Sequence, residues 1–249
     1  MLLAVDIGNS NVSCGIFRGK RLIKQFDIPT NACSKERFSQ KIIKPSIISE
    51  SVICTVVPKK TEVLLSVLKS LTGKTPYVIG RDLPVPIKNL YRSPKQLGQD
   101  RLVNAYAASV LYQKPSIIID SGTAITFDLV SSKGQYLGGL IFPGMGISLK
   151  SLKENTALLP LVKLSNPIGL IGRNTRDSIL NGVVLGTAEL CSGLIQRIKQ
   201  DIGRACPVIG TGGDILRIKK YSKANIRIDK NLTLKGISLT YKYGIKRSI

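Results

Sequence analysis

Short apolar runs broken by polar, glycine-bearing turns set the pattern of the chain from its first residues. Leu2-Leu3-Ala4-Val5 is an apolar run that stops at Asp6, so residues 1–7 read as a buried strand. Asn9-Ser10-Asn11 is a turn, Val12 to Phe17 alternates as a second strand, Arg18-Gly19-Lys20 is a hairpin tip, and Arg21 to Phe26 is a third strand. Ser34 to Ile43 reads as a helix. Ser51 to Val57 reads as a buried strand closed by Pro58, and Thr61 to Thr72 as an amphipathic helix with a Thr N-cap and Gly73 just past its end. Tyr77 to Ile79 is a short strand. Pro84, Pro86 and Pro94 make residues 82–95 a loop, and Gln99 to Leu111 is a helix.

The pattern then restarts. Ser116 to Ile119 is an apolar strand ending at Asp120, Ser121-Gly122-Thr123 is a turn, Ala124 to Val130 is a second strand, Ser132-Lys133-Gly134 is a tip, and Gln135 to Ile141 is a third strand. This internal repeat of strand, Asp-bearing turn, strand, tip and strand predicts two similar lobes, 1–114 and 115–249. Beyond it, Ser148 to Ala157 and Asn174 to Gln200 read as helices, Val208 to Thr211 as a strand leading into Gly212-Gly213-Asp214, Ile226 to Ile228 as extended, and Leu232 to Tyr243 as a helix.

Composition narrows the chemistry. The 249 residues are 43% hydrophobic, enough for a substantial core, and only 5% aromatic with no Trp, so the apolar mass is Ile, Leu and Val, as an α/β core needs. There is no His, which removes Ser-His-Asp triads, Cys-His dyads and His metal sites; any general base must be Asp, Glu, Lys or Tyr, or a water they activate. The five cysteines are scattered without a CxxC pair and read as buried free thiols in a reducing cytoplasm. No signal peptide is visible and no uncharged run approaches the roughly 20 residues of a bilayer span, so a cytoplasmic protein without a membrane partner is expected. The net charge of +22 fits an anionic ligand such as ATP as well as it fits nucleic acid. The basic residues are spread along the chain without interleaved aromatics, so a nucleic-acid partner is not expected.

Three segments carry candidate chemistry. In Asp6-Ile7-Gly8-Asn9-Ser10-Asn11, Gly8 admits close backbone approach, Asn9, Ser10 and Asn11 add donors, and Asp6 at the strand end is suited to orient Mg²⁺ or its waters. A plain hairpin turn fits the same residues. The second turn, Asp120-Ser121-Gly122-Thr123, at the equivalent point of the repeat favours the reading in which two turns clamp the phosphates of ATP. Gly210-Thr211-Gly212-Gly213-Asp214, after an apolar strand, permits close approach of a base and ribose. No GxxxxGK[ST] P-loop, dinucleotide fingerprint or protein-kinase signature set is present.

This set resembles the acetate and sugar kinase, heat-shock chaperone and actin superfamily. Within it, Gly98-Gln99-Asp100-Arg101-Leu102-Val103-Asn104-Ala105, Asp120 to Thr126, Gly138 to Gly144, Thr156 to Pro160, Ile171-Gly172-Arg173-Asn174-Thr175 and Thr211-Gly212-Gly213 resemble, in order, the motifs of type III pantothenate kinases over nearly the whole chain. Ser10 stands where Thr is usual, Gln99 where Ala is common and Ile125 where Thr is common. The resemblance implies an α/β fold of two tandem ribonuclease H-like (actin-like ATPase) lobes, each with a mixed five-stranded sheet, around an interlobe nucleotide cleft. It implies ATP-dependent phosphorylation of pantothenate to 4'-phosphopantothenate, the first step of coenzyme A biosynthesis, by a homodimer that uses Mg²⁺ and a monovalent cation, K⁺ or NH₄⁺. The ATP-binding set is then Asp6, Ile7, Gly8, Asn9, Ser10, Asn11, Val12 and Ser13 with Thr123, and Asp120 holds the monovalent cation. Tyr91, Gly98, Gln99, Asp100, Arg101 and Thr175 bind substrate, and Asp100, at a helix start, is the candidate general base. Two other readings stay open: a regulator that uses this fold without catalysis, and a kinase for another small alcohol.

Overall fold

A computed structural model describes residues 1–42, 45–202 and 205–246. The chain forms two compact units, one of Met1–Val110 together with the segment from Asn231 onward, the other of Leu111–Lys230.

The first unit is built on a five-stranded mixed sheet in the order β3-β2-β1-β4-β5. β1 (Leu2–Ile7) pairs antiparallel with β2 (Asn11–Arg18), which pairs antiparallel with β3 (Arg21–Pro29). After α1 (Lys35–Lys41), β4 (Glu50–Thr55) joins β1 in parallel; α2 (Pro58–Thr72) leads to β5 (Tyr77–Val78), parallel to β4. The period-two side chains split cleanly between the faces. Leu3, Val5, Ile7, Val12, Cys14 and Ile16 bury one face with Phe38 of α1 and Leu64, Leu65 and Leu68 of α2. Leu2, Ala4, Phe17, Val52 and Cys54 bury the other with Val103 of α3 (Gln99–Leu111).

The second unit repeats the plan in the order β10-β9-β6-β7-β8. β6 (Ser116–Ser121), β7 (Ala124–Val130) and β8 (Tyr136–Pro143) form the meander; α4 (Met145–Glu154) and the long α5 (Thr175–Ile202) follow; β9 (Val208–Thr211) pairs parallel with β6, and α6 (Ile215–Tyr221) leads to the edge strand β10 (Ile226–Ile228). Ile117, Ile119, Ile125 and Phe127 pack against Met145 and Leu149 of α4, Ile179, Leu180, Val184, Cys191 and Ile195 of α5, and Ile215 and Ile218 of α6. By length and composition α5 alone among the described helices is apolar enough to cross a membrane; its buried stripe recurs at helical spacing on this core.

Several boundaries differ from the sequence reading. The last helix, α7 (Leu232–Lys246), belongs to the first unit, whereas the division at 114/115 put it in the second. Leu234 and Ile237 fill the apolar face made by Leu2 and Ala4, and a Cβ on Gly236 would collide with the Val103 backbone, so α7 and α3 cross closely. α2 begins at Pro58 rather than Thr61, because proline is tolerated at a first helical position; the Thr61 hydroxyl donates back to the Val57 carbonyl at 3.1 Å. Gly73 ends that helix with φ 73°. α4 is capped by Gly144 and starts three residues ahead of Ser148, whose hydroxyl donates to the Gly144 carbonyl. α1 starts after Ser34, which accepts the Arg37 N–H; Ile43, the expected end of this helix, lies outside the described residues.

Candidate active site

In the first unit, Asp6 lies one residue before the end of β1, paired with Ser13 on β2 and Cys54 on β4. Alternation along β1 puts Asp6 on the face that carries Leu2, Ala4 and α3. The loop that follows is tight: Gly8 N–H donates to the Asn11 carbonyl at 3.0 Å, and a Cβ on Gly8 would stand 3.1 Å from that oxygen. Asn9, Ser10 and Asn11 are exposed. Ile7 and Val12 are core side chains, so only their backbone is open to a ligand, and the Ser13 hydroxyl is committed to Asp27 Oδ1 at 2.6 Å.

Asp100 is the second residue of α3. Its Oδ1 accepts the Arg101 N–H at 2.8 Å, and the carboxylate folds back over Gly98, where a Cβ would collide with it. The Gly-x-Asp spacing therefore gives this carboxylate its room. Burial pushes the Asp100 carboxyl above its ordinary value, against the opposing pull of the Arg101 N–H and guanidinium. Arg101 itself is buried. The Cys54 thiol is pushed far up, first by burial and then by the charges of Asp6 and Asp100, so β1 and α3 bring both carboxylates within electrostatic reach of one buried sulfur. The Gln99 side chain packs on Gly80, which has φ 86°. Tyr91 is half-buried, and its N–H donates to Asn89 Oδ1 at 2.9 Å. A cavity of about 570 Å³ in this unit, lined by Asp82 to Ile87 with Tyr243 and Gly244, contains none of the predicted residues.

In the second unit, Asp120 pairs with Thr126 on β7 and Thr211 on β9, and two other loops converge on its turn. Gly122 N–H donates to the Ala124 carbonyl at 3.0 Å, Gly144 N–H to the Thr123 carbonyl at 3.1 Å, and Asp214 N–H to the Ser121 carbonyl at 3.0 Å. Gly212, at φ 90°, lies so close that a Cβ would strike both Asp120 Oδ1 and the Ser121 carbonyl oxygen. The Asp120 carboxylate and the Ser121 carbonyl thus pack directly against the Gly212 backbone, an approach that only glycine allows. Thr123 is exposed at the tip of the turn. Thr175 is the exposed first residue of α5, and Asn174, not Thr175, caps that helix: its Oδ1 accepts the Asp177 N–H at 2.8 Å. No cluster of three or more His, Cys, Asp or Glu suited to a metal occurs among the described residues.

The family model for type III pantothenate kinase matches residues 2–197. A type III pantothenate kinase of Persephonella marina is 38% identical over 256 residues, covering 98% of this chain and 99% of its own length. The chain belongs to the type III pantothenate kinase family. A second relative of that name, from Desulforapulum autotrophicum, is 38% identical over 253 residues, covering 96% of this chain and 95% of its own. Among solved structures, an activator of the 2-hydroxyisocaproyl-CoA dehydratase from Clostridium difficile, with bound ADPNP, covers 99% of this chain and 96% of its own at a TM-score of 0.59 and 13% identity. At that identity the likeness carries the fold alone: two α/β units of the actin-like ATPase and sugar-kinase type.

For a type III pantothenate kinase, two residues that touch the turns escaped the sequence reading as contributors. Thr30 bonds twice to the Gly8–Asn11 loop, across 22 residues of sequence, and follows β3 in no motif. Gly144 stood within a family motif, but nothing local told that it backs the Thr123 turn.

Proposed function

We propose that this chain phosphorylates the primary hydroxyl of pantothenate with ATP, the first step toward coenzyme A. The observation that carries the reading is the match to type III pantothenate kinases from end to end of the chain. Asp100 is the general base: it takes the hydroxyl proton as the oxygen bonds to the γ-phosphorus and the bond to the β–γ bridging oxygen breaks, releasing ADP. Its burial favours this role, since a carboxylate with raised proton affinity is the better acceptor. With no His in the chain, no imidazole competes for the role.

The backbone from Asp6 to Ser13 holds phosphate, with Thr123 contributing from its own turn. Arg101, Gly98, Gln99, Tyr91 and Thr175 bind the substrate. Mg²⁺, when bound with ATP, supplies charge neutralisation; Asp6 is the carboxylate suited to hold it, directly or through water, and one carboxylate with substrate phosphates is an ordinary Mg²⁺ ligand set. Asp120, the carboxylate of the second turn, holds the monovalent cation, K⁺ or NH₄⁺. A cytoplasmic homodimer completes the reading, in keeping with five free thiols.

The test is direct. Purified protein with ATP, Mg²⁺, K⁺ or NH₄⁺ and pantothenate is expected to yield 4'-phosphopantothenate by mass spectrometry. No product under any of these salts would refute the assignment.

A further inference from the structure

We infer that Thr30 is a positioning residue that shapes the Gly8–Asn11 loop into an anion-binding nest. Thr30 is 4% exposed and has no ligand-facing surface of its own. Its hydroxyl donates to the Gly8 carbonyl at 2.7 Å and its N–H donates to the Ser10 carbonyl at 2.9 Å. These two bonds act on two peptide planes. In a planar trans peptide the N–H points opposite the preceding C=O. Drawing the Gly8 carbonyl toward Thr30 therefore turns the Asn9 N–H away from it, and drawing the Ser10 carbonyl does the same to the Asn11 N–H. The Gly8 N–H donates to the Asn11 carbonyl, but the usual turn bond, in which the Asn11 N–H would satisfy the Gly8 carbonyl, is not formed. A side-chain hydroxyl from β3's end does so instead, and Asn9 and Asn11, both exposed, keep their amides directed at solvent or ligand. Successive outward amides of this kind make an anion-binding concavity.

The inference rests on the reading that this loop grips the phosphates of ATP, and it adds which donors do so and what aims them. Thr30→Val keeps the shape and removes only the hydroxyl bond; Thr30→Ser keeps the bond. The Val variant is expected to raise KM for ATP about tenfold, the scale of one ordering hydrogen bond, while KM for pantothenate stays within about twofold. The Ser variant is expected to restore the wild-type KM for ATP. A Val variant that melts lower and turns over more slowly, yet keeps its KM for ATP, would show a merely structural threonine and overturn the inference. If the Val variant does not fold, amide exchange of the wild-type chain decides. A nonhydrolysable ATP analogue with Mg²⁺ is expected to slow exchange at Asn9 and Asn11, and unchanged exchange at both overturns the nest. Failure of the two readings is separable: protection without phosphopantothenate removes the proposed reaction and leaves the nest, and turnover without protection does the reverse.

Discussion

Gly212 and Gly213 are neighbours in one loop, yet alanine at the two positions should act very differently. At Gly212 the backbone sits at φ 90°, and an added Cβ would strike the Ser121 carbonyl and Asp120 Oδ1. Neither Ser121 C=O nor the loop can yield freely, because that carbonyl also accepts the Asp214 N–H at 3.0 Å. A left-handed conformation costs a non-glycine residue about 1–2 kcal/mol, and overpacking against fixed atoms a further 1–3 kcal/mol, for a total of about 2–5 kcal/mol. At about 3 °C per kcal/mol for a chain of this size, Gly212→Ala should lower Tm by roughly 6–15 °C. At Gly213 an added Cβ would meet no atom within 4 Å and φ lies outside the left-handed range, so Gly213→Ala should stay within about 0.5 kcal/mol of wild type. The assay is calorimetric or fluorescence melting of both variants, followed by a K⁺ titration of activity. Gly212→Ala should also need more K⁺ for half-maximal rate, because the Cβ would displace Asp120 Oδ1, the oxygen proposed to hold the ion. Equal Tm values for the two variants would refute the packing argument. An unchanged K⁺ requirement in a destabilised Gly212→Ala would refute the cation assignment alone.

Other outcomes follow from the same geometry. Asp100→Asn should lower kcat by at least about a hundredfold as a lost general base. Because the folded state raises the Asp100 carboxyl, the ionised group costs stability above the ordinary value of 3.8 and costs nothing below it, so the Asn variant should melt higher than wild type at neutral pH and lose that advantage under acid; a lower Tm at neutral pH would contradict this. Four cysteines are buried and Cys33 is half-exposed, with burial pushing its thiol upward as well, so Ellman's reagent should label one thiol slowly and the rest only on unfolding, and Cys33→Ser should remove that first phase. Tyr136→Phe removes a 2.8 Å donor from the fully buried Asp128 carboxylate, which also accepts from Thr126 at 3.0 Å. It should cost about 1–3 kcal/mol in chemical denaturation and leave KM for ATP unchanged.

The strands that carry both Asp turns were legible because each combines an apolar run, a carboxylate stop and a period-two successor, all local signals. What stayed illegible depended on distant partners. Nothing in Leu232 to Tyr243 tells which sheet its apolar stripe will cover; the answer lies in the bare face of Leu2 and Ala4, more than two hundred residues earlier. α6 is seven residues with two buried isoleucines, too short for its period to stand out. Pro58 reads as a strand terminator and as a first helical residue with equal ease, and only the downstream turn decides. At the site, the Gly-x-Asp spacing at 98–100 was readable as a motif, but the reason for it, a carboxylate folded over the glycine, needed coordinates.

The internal repeat also conceals a difference in how its two turns are held. The Asp6 turn is braced by a side chain, the Thr30 hydroxyl on the Gly8 carbonyl, together with one backbone bond. The Asp120 turn is braced by two backbone bonds, from Gly144 N–H and Asp214 N–H, and the loops that deliver them come so close that Gly144 and Gly212 have no room for a Cβ. A brace made by a hydroxyl is weakened by removing an atom; a brace made by close backbone approach is weakened by adding one. The two halves should therefore fail under opposite substitutions: Thr30→Val in the first unit and Gly144→Ala in the second. Gly144→Ala should act mainly on the Thr123 turn, since the added Cβ would meet the Gly122 and Thr123 carbonyls. Sequence similarity between the two turns thus marks a shared shape, while the residues that make each shape rigid come from different chemistry and lie outside the similar segments.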